Sequence, residues 1–471
     1  AFPGVSAAWR MNEEKWMKNI GWLSNLKLRV GVGQTGNAGN LTGINTYYSV
    51  SQGAFAPNGS LVNGMAISKI GNEKLKWETL TDYNFGIDFG FFNSRLTGTI
   101  DAYWNTTKDL LMKTAIPGIT GFTSTYANVG QTSNKGIEIA LQGVLVKTRD
   151  WNVTAGFNIN FNRGKVDKLA DNVTGLYGTE WATSSTFPKS DYVLKEGRPV
   201  GLVRGLTADG FYTTDDFTYE NGVYTLKEGV ADVSSAVFPN YHLHNGMNER
   251  PAGQLAYPGM AKFKDLNDDG IINDDDVDVI GDMTPVHTGG FNINATYKNF
   301  DLGLYFNWSY GNEIYNVNKL AALYGYKEGA VYENKLSIVK DCYKIYDVVN
   351  GELVALTTPE QLNAANANAK LPLAYSENGY VSTLGIEDGS YLRLNTLTLG
   401  YTLPKSMLQK AGISNLRVYG SIYNVFTITG YSGIDAEVST STSTKTYPQL
   451  GMDWGTYPRA RSFVLGVNLS F

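Results

Sequence analysis

The sequence predicts an all-β chain and, within that class, a transmembrane antiparallel β-barrel. Three observations carry the prediction. Apolar residues alternate with small polar ones in runs of about ten residues, the length of a tilted membrane strand. The polar side of each run is Asn, Gly, Thr and Ser rather than mixed charge, which suits a wet lumen wall. Short connections alternate with long ones, the asymmetry of outer-membrane barrels. The pattern is plainest in the last residues, RSFVLGVNLSF. There Phe463, Leu465, Val467, Leu469 and Phe471 are apolar, Ser462, Gly466, Asn468 and Ser470 are small or polar, and Val464 is the one exception.

In chain order, Val5 to Met11 and Leu26 to Gly33 alternate first. Tyr83, Phe85, Ile87, Phe89 and Phe91 follow, then Leu96, Gly98, Ile100, Ala102 and Trp104. Ile137, Ile139, Leu141, Gly143 and Leu145 precede Val153, Ala155, Phe157, Ile159 and Phe161. Phe291, Ile293, Ala295 and Tyr297 lead into Leu302, Leu304, Phe306, Trp308 and Tyr310. Strands over 389–403, 415–426 and 461–471 complete a set of about eleven. Phe91, Trp104, Trp151, Tyr297 and Tyr310 sit near strand ends, where aromatic girdles lie. In 391–403 the apolar positions change parity, from Leu392 and Leu394 to Leu397, Leu399, Tyr401 and Leu403. That change predicts a bulge or an exit from the bilayer.

Asn93-Ser94, Lys147 to Asp150 and Asn299-Phe300 are read as short turns; 107–134, 163–287, 312–388 and 427–460 are read as long loops. With the short turns in the periplasm, the last strand descends and the C-terminus is periplasmic. A soluble β-sandwich or propeller would share the alternation, but no regular short repeat is visible. An open strand edge cannot sit in hydrocarbon, so the final strand must pair with a neighbour.

Composition agrees. The 471 residues exceed one ordinary soluble core, and 52 Gly with 30 Tyr suit turn-rich β-structure. The net charge is -5 and basic residues do not cluster, so nucleic acid is not an expected partner. Cys342 is the single cysteine, which rules out an intrachain disulfide. No apolar stretch reaches the roughly 20 residues of a membrane helix. The chain opens on Ala1-Phe2-Pro3 with neither start methionine nor signal peptide, and we read it as cut from a longer protein.

Several stretches, in order along nearly the whole chain, resemble the SusC/RagA family of TonB-dependent outer-membrane transporters. They are Leu26 to Asn37 (LKLRVGVGQTGN), Lys195 to Val200 (KEGRPV), Asp209 to Tyr212 (DGFY) and Pro258 to Asp282 (PGMAKFKDLNDDGIINDDDVDVIGD). Tyr297 to Leu302, Trp308 to Asn312, Tyr391 to Leu394, Leu399 to Pro404, Asn424 to Thr427 and Tyr457 to Phe463 continue the match. The resemblance implies a plugged barrel of about 22 strands. Residues 1–471 would then be the C-terminal half of one barrel domain, with long outside loops at about 163–287 and 312–388 and without plug or N-terminal domain. It implies an integral outer-membrane protein of a Gram-negative bacterium of the Bacteroidota. Such a protein imports a nutrient, an oligosaccharide first and a peptide next, with a SusD-like surface lipoprotein as lid and the TonB complex as motor. Two alternatives stand beside this reading: a siderophore or cofactor receptor without a lid partner, and a β-rich surface adhesin. The terminal phenylalanine also resembles the signal by which such barrels are recognised for insertion.

No residue set calls for covalent catalysis, and the chain is read as a non-enzyme. The sharpest local motif has calcium-loop spacing: Asp265, Asn267, Asp269, Asn273 and Asp276 at positions 1, 3, 5, 9 and 12, Gly270 at 6, and the Ile271 carbonyl at 7. Its twelfth residue is Asp rather than Glu, and no helices flank it. An Asp/Asn-rich turn satisfied by its own backbone is the plain alternative. His242 and His244 would share a face if they lay on a strand and could then hold a metal, but no third ligand lies at useful spacing and a solvated loop is the plain reading; their nearness to Ser234 and Ser235 in sequence defines no triad. Trp181, Tyr192, Tyr324, Tyr326, Tyr375 and Tyr380 lie in long loops, either to stack on a nutrient or to pack the loops together. Residues 330–349 and 359–369 are expected to be helical, the second with a capped start at Thr358-Pro359-Glu360-Gln361.

Overall fold

The computed structural model describes residues 2–38, 47–55, 61–122, 124–170, 173–183, 186–238, 250–324, 335–374, 379–408, 412–437 and 449–471. Eleven strands form one antiparallel sheet in chain order. They are β1 Gly4–Arg10, β2 Leu23–Asn37, β3 Glu78–Phe91, β4 Leu96–Ala115, β5 Ser124–Lys147, β6 Trp151–Lys168, β7 His287–Tyr297, β8 Phe300–Tyr310, β9 Tyr391–Thr402, β10 Asn415–Thr429 and β11 Ser462–Ser470. Each wall strand pairs with the next, so the predicted strands and their number are all present.

The register aligns the apolar positions into rows that cross strands. Val30 faces Phe85, Phe85 faces Ala102, Ala102 faces Ile137, and Ile137 faces Phe161. Further on, Phe157, Phe291, Phe306, Leu394 and Phe426 stand opposite one another in turn. A continuous greasy band on one face is what hydrocarbon requires. Near the short turns, Trp151 lies 4.4 Å from Tyr297 and Phe300 4.7 Å from Tyr401, ring centre to ring centre. These pairs form an aromatic row at the short-turn end, where a ring is apolar at its body and polar at its edge.

In β9 the register slips between Leu394 and Thr396 against both neighbours. Asn395 is the extra residue, and it restores Leu397, Leu399 and Tyr401 to the greasy face. The β7–β8 turn is Lys298-Asn299, one residue earlier than expected, with Lys298 in the left-handed region (φ 52). A larger correction concerns 107–134. Most of it is strand, since β4 runs on to Ala115 and β5 begins at Ser124. Runs of polar and β-branched residues there keep the ladder going above the greasy band, where the strand no longer needs an apolar face.

Beyond the wall, the described parts of the connections 169–286, 311–390 and 430–461 fold together into a cap with its own core. Leu202, Leu206, Tyr212, Tyr224, Tyr257, Ile272, Tyr315 and Leu320 are fully buried there. Strands at Leu176–Gly178, Tyr192–Leu194, Leu202–Leu206 and Val277–Asp282 make a four-stranded sheet. A second sheet sets Glu313–Asn316 between Ile386–Asp388 and Met452–Asp453. Bridges from Phe187 to Tyr380 and Leu206 to Ser382 join the first long loop to the second.

The helix expected over 359–369 is present as Pro359–Asn366, and Thr358 with Gln361 forms the capping box. The helix expected over 330–349 is not. Its described part holds a 3-10 turn, Ser337–Asp341, and the first strand of a hairpin, Tyr346–Val349 paired with Glu352–Ala355. Asn350 and Gly351 both take positive φ (54 and 84), the turn that an Asn-Gly pair favours between two paired strands. A helix at Val317–Tyr324 was not foreseen. No helix among the described residues is long and apolar enough to cross a membrane, which says nothing of strands.

Candidate functional site

The polar side of the wall is built by charge pairs that lie across strands. Arg29 on β2 grips Asp88 on β3 with two bonds (Nε to Oδ2 3.0 Å, Nη2 to Oδ1 2.9 Å) and reaches Asp101 on β4 at 3.0 Å. Arg417 on β10 grips Asp301 on β8 the same way, at 2.8 and 2.5 Å. Each clamp lies over a glycine. A Cβ on Gly86 would sit 2.6 Å from the Arg29 guanidinium, and one on Gly400 would sit 2.6 Å from that of Arg417. Tyr103 donates to Asn162 and Tyr305 donates to Asn294 along the same face. The lining is polar, with charge paired in place.

Near the top of the wall, β9 presents Arg393, buried to 1 % exposure. Its guanidinium bonds Asp435 and the Thr427 hydroxyl (3.0 Å) and forms an ion pair with Glu437 (3.1 Å), which also pairs with Arg459 at 3.0 Å. This clamp holds the last long loop against the wall. Just before Asp435 in that loop, Ser432, Gly433 and Ile434 form one side of a cleft of about 610 Å³. The other sides are the helix start Asn316 to Ala322, residues Lys335 to Ile338, and Asp453 to Thr456.

The cleft is held open by a dense bonding pattern. Asn318 donates to the Asp453 carbonyl (3.3 Å) and accepts from the Gly455 amide (3.0 Å). Glu387 gathers the Ser432 amide and hydroxyl (both 2.9 Å), the Lys319 ammonium (3.1 Å) and Asn316 (3.3 Å). Those donors outweigh the effect of burial and hold its carboxyl below the ordinary glutamate range. Tyr431 donates to Asp453 at 2.7 Å. Trp454 stays 47 % exposed beside these groups, and the Thr456 hydroxyl is buried without a protein partner. An open indole beside amides and hydroxyls can stack on a ring and bond its edge.

The loop aromatics named from sequence do something else. Trp181 and Tyr192 meet Tyr315 edge to face, and Tyr380 meets Phe263 and Phe238. They pack the cap, and Tyr324 belongs to the helix Val317–Tyr324. Tyr326, Tyr375, His242 and His244 lie outside the described residues. His287 is a wall residue that stacks on Tyr310 and accepts from the Trp308 indole at 3.1 Å. Trp454 was missed. The available signal was a tryptophan in a Gly-containing loop, MDWGTYP, outside every alternating run. Cys342 is buried, which with the nearby Asp341 charge pushes its thiol up to about 11.

The calcium-like loop is tightly turned. Asp265 accepts from the Asp269 and Gly270 amides (3.3 and 2.7 Å), Asn267 from Asp269 (3.2 Å), and Asp269 from Ile271 (2.9 Å). Asn273 caps Asp274–Asp276, and buried Asp276 ties together the Leu266 and Asn273 amides (2.7 and 2.8 Å). Gly270 has φ 83, as the sixth position of such a loop demands. Strands rather than helices flank it. Among the described residues no three His, Cys, Asp or Glu side chains converge into a metal-binding group.

Comparison with known proteins places the wall. The family model for the TonB dependent receptor-like β-barrel matches residues 1–317. TonB-dependent receptor P3 of Formosa agariphila is 30% identical over 475 residues, all of this chain and 42% of the relative. TonB-dependent receptor SusC of Bacteroides thetaiotaomicron is 30% identical over 481 residues, again all of this chain and 40% of the relative. The solved RagAB peptide transporter superposes with a TM-score of 0.70 at 25% identity, covering 100% of this chain and 43% of that one. This chain thus spans about two fifths of the length of the curated relatives it matches. With its greasy band, wet inner face and outer cap, the chain belongs to the TonB-dependent receptor β-barrel family, in the SusC/RagA group, and is an integral part of the outer membrane.

Proposed function

We propose that this chain is the C-terminal wall and outer cap of an active importer that carries an oligosaccharide across the outer membrane. The observation that carries the reading is the cleft around Trp454. Its open indole, amide side chains and hydroxyls match a sugar ring, with apolar faces and a polar rim. A SusD-like surface lipoprotein captures the cargo and closes over the cap. The TonB complex acts through a plug in the longer polypeptide, and the wet wall supplies the path. The chain does no covalent chemistry. A peptide is the second cargo reading, favoured by likeness to the RagAB peptide transporter. A siderophore receptor without a lid partner, or an adhesin, has no comparable support.

The test uses intact protein in its own cells, with labelled oligosaccharides and peptides offered in parallel. Trp454→Ala is expected to lower oligosaccharide uptake about tenfold, the loss of one stacked ring, with unchanged outer-membrane protein level. Unchanged sugar uptake with lost peptide uptake would move the assignment to peptides. Unchanged uptake of both would remove the cleft from the path.

The Asp265–Asp276 loop is proposed to hold calcium in the intact protein. Its spacing and its left-handed Gly270 support this, and its carboxylates keep lone pairs beyond their backbone bonds. Calcium titration should show a saturable site that Asp265→Ala and Asp269→Ala abolish. A titration with no such site makes the loop a self-satisfied turn.

A further inference from the structure

We propose that the outer rim of β4, β5 and β6 docks the phosphate groups of outer-leaflet glycolipid. The register fixes which residues share the greasy face there. Trp104 stands opposite Lys135, Lys135 opposite Arg163, Ser133 opposite Lys165, and Lys108 opposite Gln131. Ile137 and Phe161 pair one step nearer the membrane and are both exposed. The cations therefore continue the lipid-facing rows upward, just past the aromatic level.

Two features mark the rim as a binding surface rather than ordinary solvated charge. Lys135 and Arg163 are like charges placed directly across two strands, an arrangement that destabilises the ladder unless an anion lies between them. Among the described residues, local carboxylates do not supply one. Asp167 is engaged by Lys165, Gln131 and Ser133, and Asp109 is engaged by Lys76. Among the described residues, Arg163 bonds only the backbone carbonyls of Asn162 and Pro285. Lys108, Lys135 and Arg163 are all exposed, and Lys108 lines a hollow of about 310 Å³ beside Gln131 and Lys168. The short-turn end of the same strands, where Lys147 and Arg149 sit beside Asp150, has no such opposed pair. A cation cluster at headgroup height beside interfacial rings matches a phosphate carried on a lipid, with acyl chains lying along Ile137 and Phe161.

The test takes the intact protein from outer membranes in mild detergent and measures co-purifying phosphorylated glycolipid by native mass spectrometry. Wild-type protein should carry it. Lys135→Gln with Arg163→Gln should reduce retention about tenfold or more, while the barrel stays heat-modifiable. Lys298→Gln, at the periplasmic turn, should retain as much as wild type. Reloading with glycolipid stripped of phosphate should erase the difference between wild type and double variant. If the double variant fails to reach the membrane, each single variant should retain an intermediate amount. Equal retention by wild type and rim variants would overturn the proposal. So would equal loss in Lys298→Gln, or a difference that survives removal of the phosphates.

Discussion

At Glu387 one carboxylate receives four donors from two segments: Ser432 twice, and Lys319 with Asn316. Because its folded pKa is depressed, it stabilises the cleft at pH values above its unfolded value of about 4.3. That stability is lost as pH falls through the lower folded value. Trp454 should therefore become more accessible to a quencher below about pH 4, and Glu387→Gln should flatten that part of the curve. Other acids such as Asp216 titrate in the same direction, so the difference between variant and wild type is the quantity to read. Burial makes Cys342 a neutral thiol, so maleimide should label the folded protein slowly and the denatured protein fully. In the wall, Arg29→Ala leaves Asp88 and Asp101 facing each other without their shared cation. A loss of about 1–2 kcal/mol, read from the unfolding midpoint in detergent, is expected. None of these partners was legible in the sequence. Alternation shows that Arg29 and Asp101 face the lumen, but only the register shows that they meet above Gly86.

Among the elements, the period-two signal identified every wall strand because an apolar surface on one side and a polar one on the other impose it along most of each strand. It under-reads strand length, since above the bilayer the ladder persists while the apolar demand ends, as over Lys108–Ala115 and Ser124–Ser133. The bulge at Asn395 was legible because a one-residue insertion flips parity for everything after it. Deleting Asn395 should turn Leu392 and Leu394 toward the lumen and Arg393 toward lipid. Heat-modifiability of the intact protein should then be lost. The hairpin at Asn350-Gly351 shows the opposite case. A mixed stretch was read as helix although its two-residue turn signal was present. The cleft was hidden for another reason. Its walls set Asn316 to Ala322 and Lys335 to Ile338 against Ser432 to Ile434 and Asp453 to Thr456, segments joined by two parallel contacts, Tyr315 to Met452 and Asn316 to Asp453.

For the whole molecule, the sheet ends at β1 and β11, each with one ladder, and among the described residues it does not close. Open edges leave amides and carbonyls facing hydrocarbon, so closure needs strands beyond these eleven. In detergent, residues 1–471 alone should give no heat-modifiable band, whereas the intact protein should. The cap obeys soluble-protein rules instead. Leu206→Ala empties part of a dry core and should cost about 2–5 kcal/mol, seen as faster proteolysis of the cap with the wall still folded. Two-sided design has a consequence that can be watched on living cells. The tips of the cap, Asn221-Gly222 and Asn350-Gly351, are tight turns on its surface, where inserted sequence displaces no core residue. An epitope tag placed between Asn350 and Gly351 should bind antibody on whole bacteria, while one placed between Asn93 and Ser94 should stay dark until the envelope is breached.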